Sequence, residues 1–322
     1  MRTIMALTWG IIGTGGIAHR FAGNMKMSGT KMVGVAARNF EKTKKFAQEY
    51  GIEQAYEAVD EMLANEQIQA IYIATTNNTH VDFIKQALLA GKHVLCEKPM
   101  AINTKQFDEC AALAKKQGLI LEEAFTPFHM PVMKKLREIV DSGVISDIKL
   151  IEADFCENIG ELNDDSRMLN PKLGGGALLD IGCYPICFAS LFMDEIEDIS
   201  AVCQKQNGVD VASSVVLNDG KRLASLSSSF LTSLPRDAVL SGTKGNIVVE
   251  HFSRSEKFIV DVDGQKQEYV VGDSEQAWNY EVADFNRYVE VGHDDGELEQ
   301  SRKIVQIMDQ IRDKWQLVYP FE

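Results

Sequence analysis

The sequence predicts an α/β chain of two domains. A doubly wound parallel sheet occupies residues 1–124, and an α+β domain with a mainly antiparallel sheet occupies residues 125–322. Three observations predict this. Near the N-terminus a glycine-rich turn joins an apolar strand to a helix, in Thr8-Trp9-Gly10-Ile11-Ile12-Gly13-Thr14-Gly15-Gly16-Ile17-Ala18. Short apolar strands then alternate with helical stretches as far as about residue 123. Past residue 125 the rhythm gives way to long strand-like runs, several of them separated by Asn207-Gly208, Asp219-Gly220, Lys244-Gly245 and Asp263-Gly264.

The elements follow in order. Gly13 permits a tight turn, Gly15 lets the backbone approach a pyrophosphate, and Ala18 is small enough for close helix–strand packing. Gly16 and Ile17 open the helix, whose first N–H groups would hold phosphates. A bare G-x-G-x-x-A is a weak signature; its position after a strand and before repeating βα units strengthens it over a plain structural turn. A strand is expected at 31–37, a helix at 41–50 closed by Gly51, a strand at 70–75, and a helix at 79–90 stopped by Gly91. A strand at 93–96, a helix at 104–117 ended by Gly118, and a strand beginning at 119–121 complete the first domain. The second opens with a helix at 131–142. Strands are expected at 147–155, 196–206, 209–217, 222–230, 237–241, 246–250 and 258–262, and closing helices at 275–291 and 298–317. No internal repeat or low-complexity linker is visible, and the domains are expected to share a cleft.

Composition narrows the function classes. With 322 residues, 45% of them hydrophobic and 25% charged, the chain is ordinary for a globular protein. Its net charge is −14 and its basic residues are scattered, which argues against nucleic acid and anionic membranes as partners. Residues 1–7 show no secretory signal, and no run approaches the roughly 18 apolar residues of a membrane span. The cysteines are Cys96, Cys110, Cys156, Cys183, Cys187 and Cys203. Cys183 and Cys187 would lie one helical turn apart, but no C-x-x-C pair or His-rich segment supports a metal site. Cytoplasmic thiols are the expectation.

Cofactor choice is read at the end of the second strand, in Val35-Ala36-Ala37-Arg38-Asn39. NAD-specific domains usually place an acid here; a carboxylate would repel a 2′-phosphate. Arg38 can pair with that phosphate and stack on adenine, and Lys42 adds charge one turn on. NADP is therefore expected ahead of NAD, the alternative being that Arg38 is simply a solvated surface residue. Nothing suggests a flavin pocket.

Two clusters carry chemistry. His93-Val94-Leu95-Cys96-Glu97-Lys98-Pro99 puts a charged pair at the carboxyl end of a buried strand, where open α/β sheets bind ligands. Leu173-Gly174-Gly175-Gly176-Ala177-Leu178-Leu179-Asp180-Ile181-Gly182-Cys183-Tyr184-Pro185 spaces Asp180 and Tyr184 four apart, one face of an α-helix.

With these residues, and with Ala74-Thr75-Thr76-Asn77-Asn78-Thr79-His80, the chain resembles the glucose–fructose oxidoreductase/inositol dehydrogenase (Gfo/Idh/MocA) family over essentially its whole length. Many members carry His where this chain has Tyr184. The Tyr wording resembles the branch of dihydrodiol and NADP-dependent D-xylose dehydrogenases. The resemblance implies an N-terminal Rossmann domain, a C-terminal domain with an open, mainly antiparallel sheet, and a homodimer through the outer face of that sheet. It also implies an oxidoreductase that moves hydride between the nicotinamide and a sugar, cyclic diol or related alcohol or carbonyl. Lys98 and Tyr184 would be the catalytic pair, with Asp180 beside the substrate or orienting Lys98. A free tyrosine titrates near 10, so service as a base near pH 7 requires a fall of roughly 3, or about 4 kcal/mol. The Lys98 ammonium and the oxidised nicotinamide would supply much of it.

Thr75 and Asn77 are expected on the nicotinamide side of the cofactor, and Glu97 on its ribose. Glu122, Phe125 and Phe128 are expected to face the cleft, and Arg167 and Asn170 to meet substrate oxygens; packing or a surface loop is the alternative for each. His80, His93 and His129 read as structural. Two other readings remain open, an NAD-linked inositol or sugar dehydrogenase and a dinucleotide-sensing protein without turnover.

Overall fold

The structure, a computed structural model, describes residues 7–161, 163 and 166–322. The stretch 1–7, on which the expectation of no secretory signal rests, lies outside the described residues except for Leu7. Packing divides the chain into two units whose segments interleave. The first takes the residues up to Ala101, then Lys105–Phe125 and Trp278–Glu299; the second takes Ile102–Thr104, Thr126–Ala277 and Gln300–Glu322.

The first unit opens with β1 (Trp9–Ile12), α1 (Gly16–Ser28), β2 (Met32–Ala36) and α2 (Phe40–Tyr50). It continues with β3 (Gln54–Tyr56), α3 (Val59–Leu63), β4 (Ala70–Ile73) and α4 (His80–Leu89). β5 (His93–Glu97), α5 (Thr104–Gln117) and β6 (Leu121–Ala124) complete the alternation. Its sheet runs β3-β2-β1-β4-β5-β6 with every pair parallel. Strands β1, β2 and β4 are buried at every position, which is why they read as unbroken apolar runs. The strand order reverses between β1 and β4, so their carboxyl ends flank the crevice where such sheets bind ligands.

The second unit contains α6 (Pro131–Asp141), β7 (Ile148–Cys156), α7 (Cys183–Ser190) and β8 (Asp198–Gln206). The strands β9 (Val209–Asn218), β10 (Leu223–Ser229), β11 (Ala238–Gly242), β12 (Asn246–Val249), β13 (Lys257–Val262) and β14 (Gln265–Val270) follow. They form one sheet in the order β14-β13-β12-β11-β7-β10-β9-β8, antiparallel except for β7 beside β10. One register row, Ile199-Leu217-Ala224-Ile151-Leu240-Ile247-Val260, is buried throughout. Each large side chain in it contributes about 1.5–3 kcal/mol of burial. The alternate row, Ser200-Val216-Ser225-Glu152-Val239-Val248-Ile259-Glu268, lies on the opposite face and stays partly or fully exposed.

Two helices close the chain, α8 (Ala277–Val291) and α9 (Glu297–Trp315). From α8, Phe285 brings its ring to 5.1 Å from that of Trp9, which Phe21 meets edge-on at 5.9 Å. Trp9 is fully buried. That aromatic contact explains why a late helix belongs to the first unit. One stretch, Pro171–Ser190, is long and apolar enough by composition to cross a membrane, contrary to the sequence expectation that no run comes close. It is 83% buried inside the molecule, as a core segment of the second unit is.

Candidate active site

The first unit supplies a phosphate cradle. Gly13 sits at φ +111°, and a Cβ there would come within 2.3 Å of Ala74 O at the end of β4. Only glycine allows the turn to pass so close. Gly15, the N-cap of α1, is extended and offers no side-chain cap, and the first turn carries no acid. Beside Gly15 and Gly16 a Cβ would meet nothing within 4 Å. The helix thus opens with N–H groups directed at open space, while Ile17 is half-buried and Ala18 is fully buried against the sheet. A dinucleotide's pyrophosphate fits this cradle. Past β2, Arg38 and Lys42 are exposed, and Asn39 Oδ1 accepts from Lys42 N at 3.0 Å, fixing the start of α2.

The ends of β4 and β5 are joined through a histidine. His80 is buried; its Nδ1 lies 2.9 Å from Pro99 O and its Nε2 3.3 Å from Thr75 O. Burial holds its pKa below the ordinary value, so the neutral ring donates through one nitrogen only. Thr75 Oγ1 accepts from Thr79 Oγ1 at 2.8 Å, and Thr75, Asn77 and Lys98 are half-buried. The Lys98–Pro99 peptide is cis. Glu97 is buried; it accepts the hydroxyl of Tyr72 on one oxygen and Lys98 N at 3.3 Å on the other. Tyr72 itself stacks on Phe21 at 3.6 Å, and burial with the Glu97 charge drives its hydroxyl well above the tyrosine range. Neither Tyr72 nor this use of His80 is legible in the sequence.

The second unit supplies the tyrosine. Leu178–Gly182 forms a single π turn that leads into α7. Cys183 N reaches back to Leu178 O, and Pro185 has no N–H to continue an α-helical ladder from Ile181. The single α-helix expected to carry both Asp180 and Tyr184 is instead a π turn holding Asp180 that runs into α7 at Tyr184. Tyr184 is half-buried, with its ring 5.3 Å from Phe155, on a wall of Phe155, Ala177, Ile181 and Phe230 that Ile159 and Met168 extend. Asp180 lies 3.8 Å from the guanidinium of Arg167. Asn170 uses its Oδ1 to accept from Lys172 N at 2.9 Å, a local cap.

Three further candidates are buried. Glu122 is 1% exposed, and burial, with Asp294 beside it, drives its carboxyl well above the ordinary range. Phe125 and Phe128 are also buried. Neighbouring Glu123 accepts from Met100 N at 2.8 Å, bracing the chain just past Pro99. Of the other histidines, His93 Nδ1 accepts from Ile120 N at 3.0 Å, and His129 is buried.

An open-ended phosphate cradle at a parallel-sheet switch point, with a lysine at the next strand end, defines a dinucleotide-binding unit. Comparison with known proteins makes the chain an NAD(P)-dependent oxidoreductase acting on CH–OH groups. Family models agree. Residues 7–125 match the GFO/IDH/MocA oxidoreductase family with its NAD-binding Rossmann fold, and residues 133–248 match the GFO/IDH/MocA C-terminal domain. The chain belongs to this family. Trans-1,2-dihydrobenzene-1,2-diol dehydrogenase of Xenopus laevis is 35% identical over 283 residues, covering 86% of this chain and 84% of that protein. Its human counterpart is 34% identical over 250 residues, covering 76% and 74%. Among solved structures, a 3-ketoreductase from Actinomadura kijaniata in complex with NADP and TDP-benzene superposes with a TM-score of 0.85. It is 26% identical, with 95% of this chain and 97% of that one covered.

Proposed function

We propose that this chain is an NADP-dependent dehydrogenase/reductase acting on a ring-borne hydroxyl or ketone of a cyclic diol or sugar, with Lys98 and Tyr184 handling the proton and Asp180 beside the substrate or orienting Lys98. The observation that carries the reading is the setting of Tyr184: its ring packs on a largely apolar wall, and the turn leading to it carries Asp180 with its Arg167 partner. Such a surface takes a ring's carbon face and its hydroxyls together. The relatives named for a dihydrodiol and the 3-ketoreductase bound to NADP support it.

The cradle at Gly13–Ala18 and the ends of β4 and β5 would hold the dinucleotide, whose nicotinamide would supply or accept the hydride. Tyr184 takes the hydroxyl proton in oxidation and returns it in reduction, and the Lys98 ammonium favours the tyrosinate. Gly13, Gly15, Gly16, Ile17 and Ala18 shape the cradle, and Thr75, Asn77 and Glu97 line the nicotinamide side. On this reading the first unit binds cofactor; the candidate substrate-side residues are Glu122 and Phe125 of the first unit and Phe128, Arg167 and Asn170 of the second.

The exposed Arg38 and Lys42 select the 2′-phosphate. Losing a charge-assisted bond costs about 1.5–3 kcal/mol, so Arg38→Ala is expected to weaken NADP binding roughly 10- to 100-fold more than NAD binding, which loses only the adenine stacking. Fluorescence titration with NADPH and NADH reads both; equal weakening would assign Arg38 a merely structural role. Turnover of both cofactors across aldoses, inositols, trans-dihydrodiols and dicarbonyls tests the whole reading. Tight NADP binding without turnover on any of them would favour a dinucleotide sensor.

The partly exposed row Val216, Val239, Val248 and Ile259 is the proposed contact between two copies of the chain. Sedimentation is expected to return twice the 35.8 kDa chain mass, and Val248→Lys is expected to return a single one. The cytoplasm is the proposed compartment, in keeping with five buried cysteines and no C-x-x-C pair.

A further inference from the structure

The glycine run before the π turn has no side chains with which to hold itself, yet it must fix Asp180 and Tyr184. We infer that Asp210 is a positioning residue for the reaction: from β9 it grips the backbone at Gly176–Leu178, while Tyr319 grips Gly175, and together they set where Asp180 and Tyr184 stand. The inference rests on the proposed role of Tyr184.

Asp210 is fully buried, and its Oδ2 accepts from Leu178 N at 2.7 Å, the first residue of the π turn. Its Oδ1 lies against Gly176, where a Cβ would come within 2.5 Å. Gly176 stands at φ +116°, so both its conformation and its contact with Asp210 require glycine. One residue earlier, Gly175 O accepts from Tyr319 Oη at 2.6 Å, a bond spanning 144 residues of sequence. The grip extends to the arginine side. Gly175 N donates to Asn170 O at 3.0 Å and Gly176 N to Met168 O at 2.8 Å. A Cβ on Gly175 would approach Arg167 O and Met168 O within 2.7 Å. The turn that carries Arg167, and with it the partner of Asp180, is thus pinned to the same two glycines. A shift of about 1 Å in this backbone would misplace the proton-handling group, which can cost about a hundredfold in rate.

A buried carboxylate is a costly way to hold one turn, and cost of this kind concentrates at functional sites. Burial pushes the Asp210 carboxyl up to about 6. The groups acting on it are Lys205 and Cys203 from β8, Arg312 from α9, and Tyr319. As the pH falls through that value the carboxylate takes a proton, and the bond to Leu178 N loses its charge assistance.

The test compares Asp210→Ala, Asp210→Asn, Tyr319→Phe and Tyr184→Phe in the full-length protein, with NADP(H) and whichever diol or ketone turns over. Asp210→Ala is expected to lose at least about tenfold in kcat while KM for NADP(H) stays within about twofold. Asp210→Asn keeps an acceptor for Leu178 N. It is expected to recover most of that loss near pH 8 and to lose the wild-type fall in kcat below about pH 6. Tyr319→Phe is expected to lose about threefold or more in kcat, and it carries the test if Asp210→Ala does not fold. Native kcat in folded Asp210→Ala, or an unchanged acid limb in Asp210→Asn, overturns the inference. Native kcat in Tyr184→Phe would instead overturn the role of the tyrosine, so the two failures are distinguishable.

Discussion

Tyr184→Phe is expected to lower kcat by roughly 100- to 10,000-fold, the range for losing a positioned acid–base group. The phenyl ring keeps its contact with Phe155 and the wall around it, so thermal stability is expected to stay close to that of the wild type. KM for NADP(H) is expected to hold, because the phosphate cradle and Arg38 belong to the other unit. The pH dependence has a definite sign. A neutral tyrosine already donates a proton, so carbonyl reduction runs near neutrality, whereas oxidation needs the tyrosinate and rises toward alkaline pH. Initial rates in both directions between about pH 6 and 10 check this. A flat oxidation profile, or full activity in Tyr184→Phe, would remove the tyrosine from the mechanism.

Gly13→Ala is the largest structural effect expected in the first unit. The new methyl group would stand 2.3 Å from Ala74 O and 2.8 Å from Ala74 C, both backbone atoms of the neighbouring strand end, which cannot swing aside. The φ of +111° adds strain for any residue with a Cβ. Together these are expected to cost about 3 kcal/mol or more in stability and to abolish NADP binding. Gly15→Ala is the control. Its methyl group would meet no protein atom within 4 Å, so melting is expected to be unchanged while NADP binding weakens, because the group enters the path of the pyrophosphate. Thermal unfolding beside NADPH titration separates the two variants. A native melting temperature in Gly13→Ala would mean that the turn can relax away from β4.

The alternation of the first unit was legible because each of its main helices and strands carries its own signal, an apolar run or a glycine stop, and the bounds agree to within a few residues. What escaped was short or polar. Gln54–Tyr56 and Val59–Leu63 span too few residues to show a period. Gln265–Val270 is exposed at nearly every position and is a strand only because it pairs with β13. The π turn escaped because spacing alone does not distinguish it from an α-helix. In the site, the motif residues Gly13, Lys98 and Tyr184 declare themselves locally. Their supports do not. Tyr72 meets Glu97 across 25 residues, and Tyr319 meets Gly175 across 144. Asp210 gives no local hint: between Val209 and Val211 the strand alternation reads it as an outward polar position, yet it is buried.

The contact of Trp9 with Phe285 also dictates a schedule. Both rings belong to the first unit, yet Phe285 leaves the ribosome only after Trp9 and the whole of Thr126–Ala277 of the second unit have done so. At about 5–20 residues per second, roughly eight to thirty seconds pass between emergence of Phe125 and of Trp278. Throughout that interval the nascent dinucleotide unit exposes the indole surface that α8 later covers, which makes it a natural client for a holding chaperone during translation.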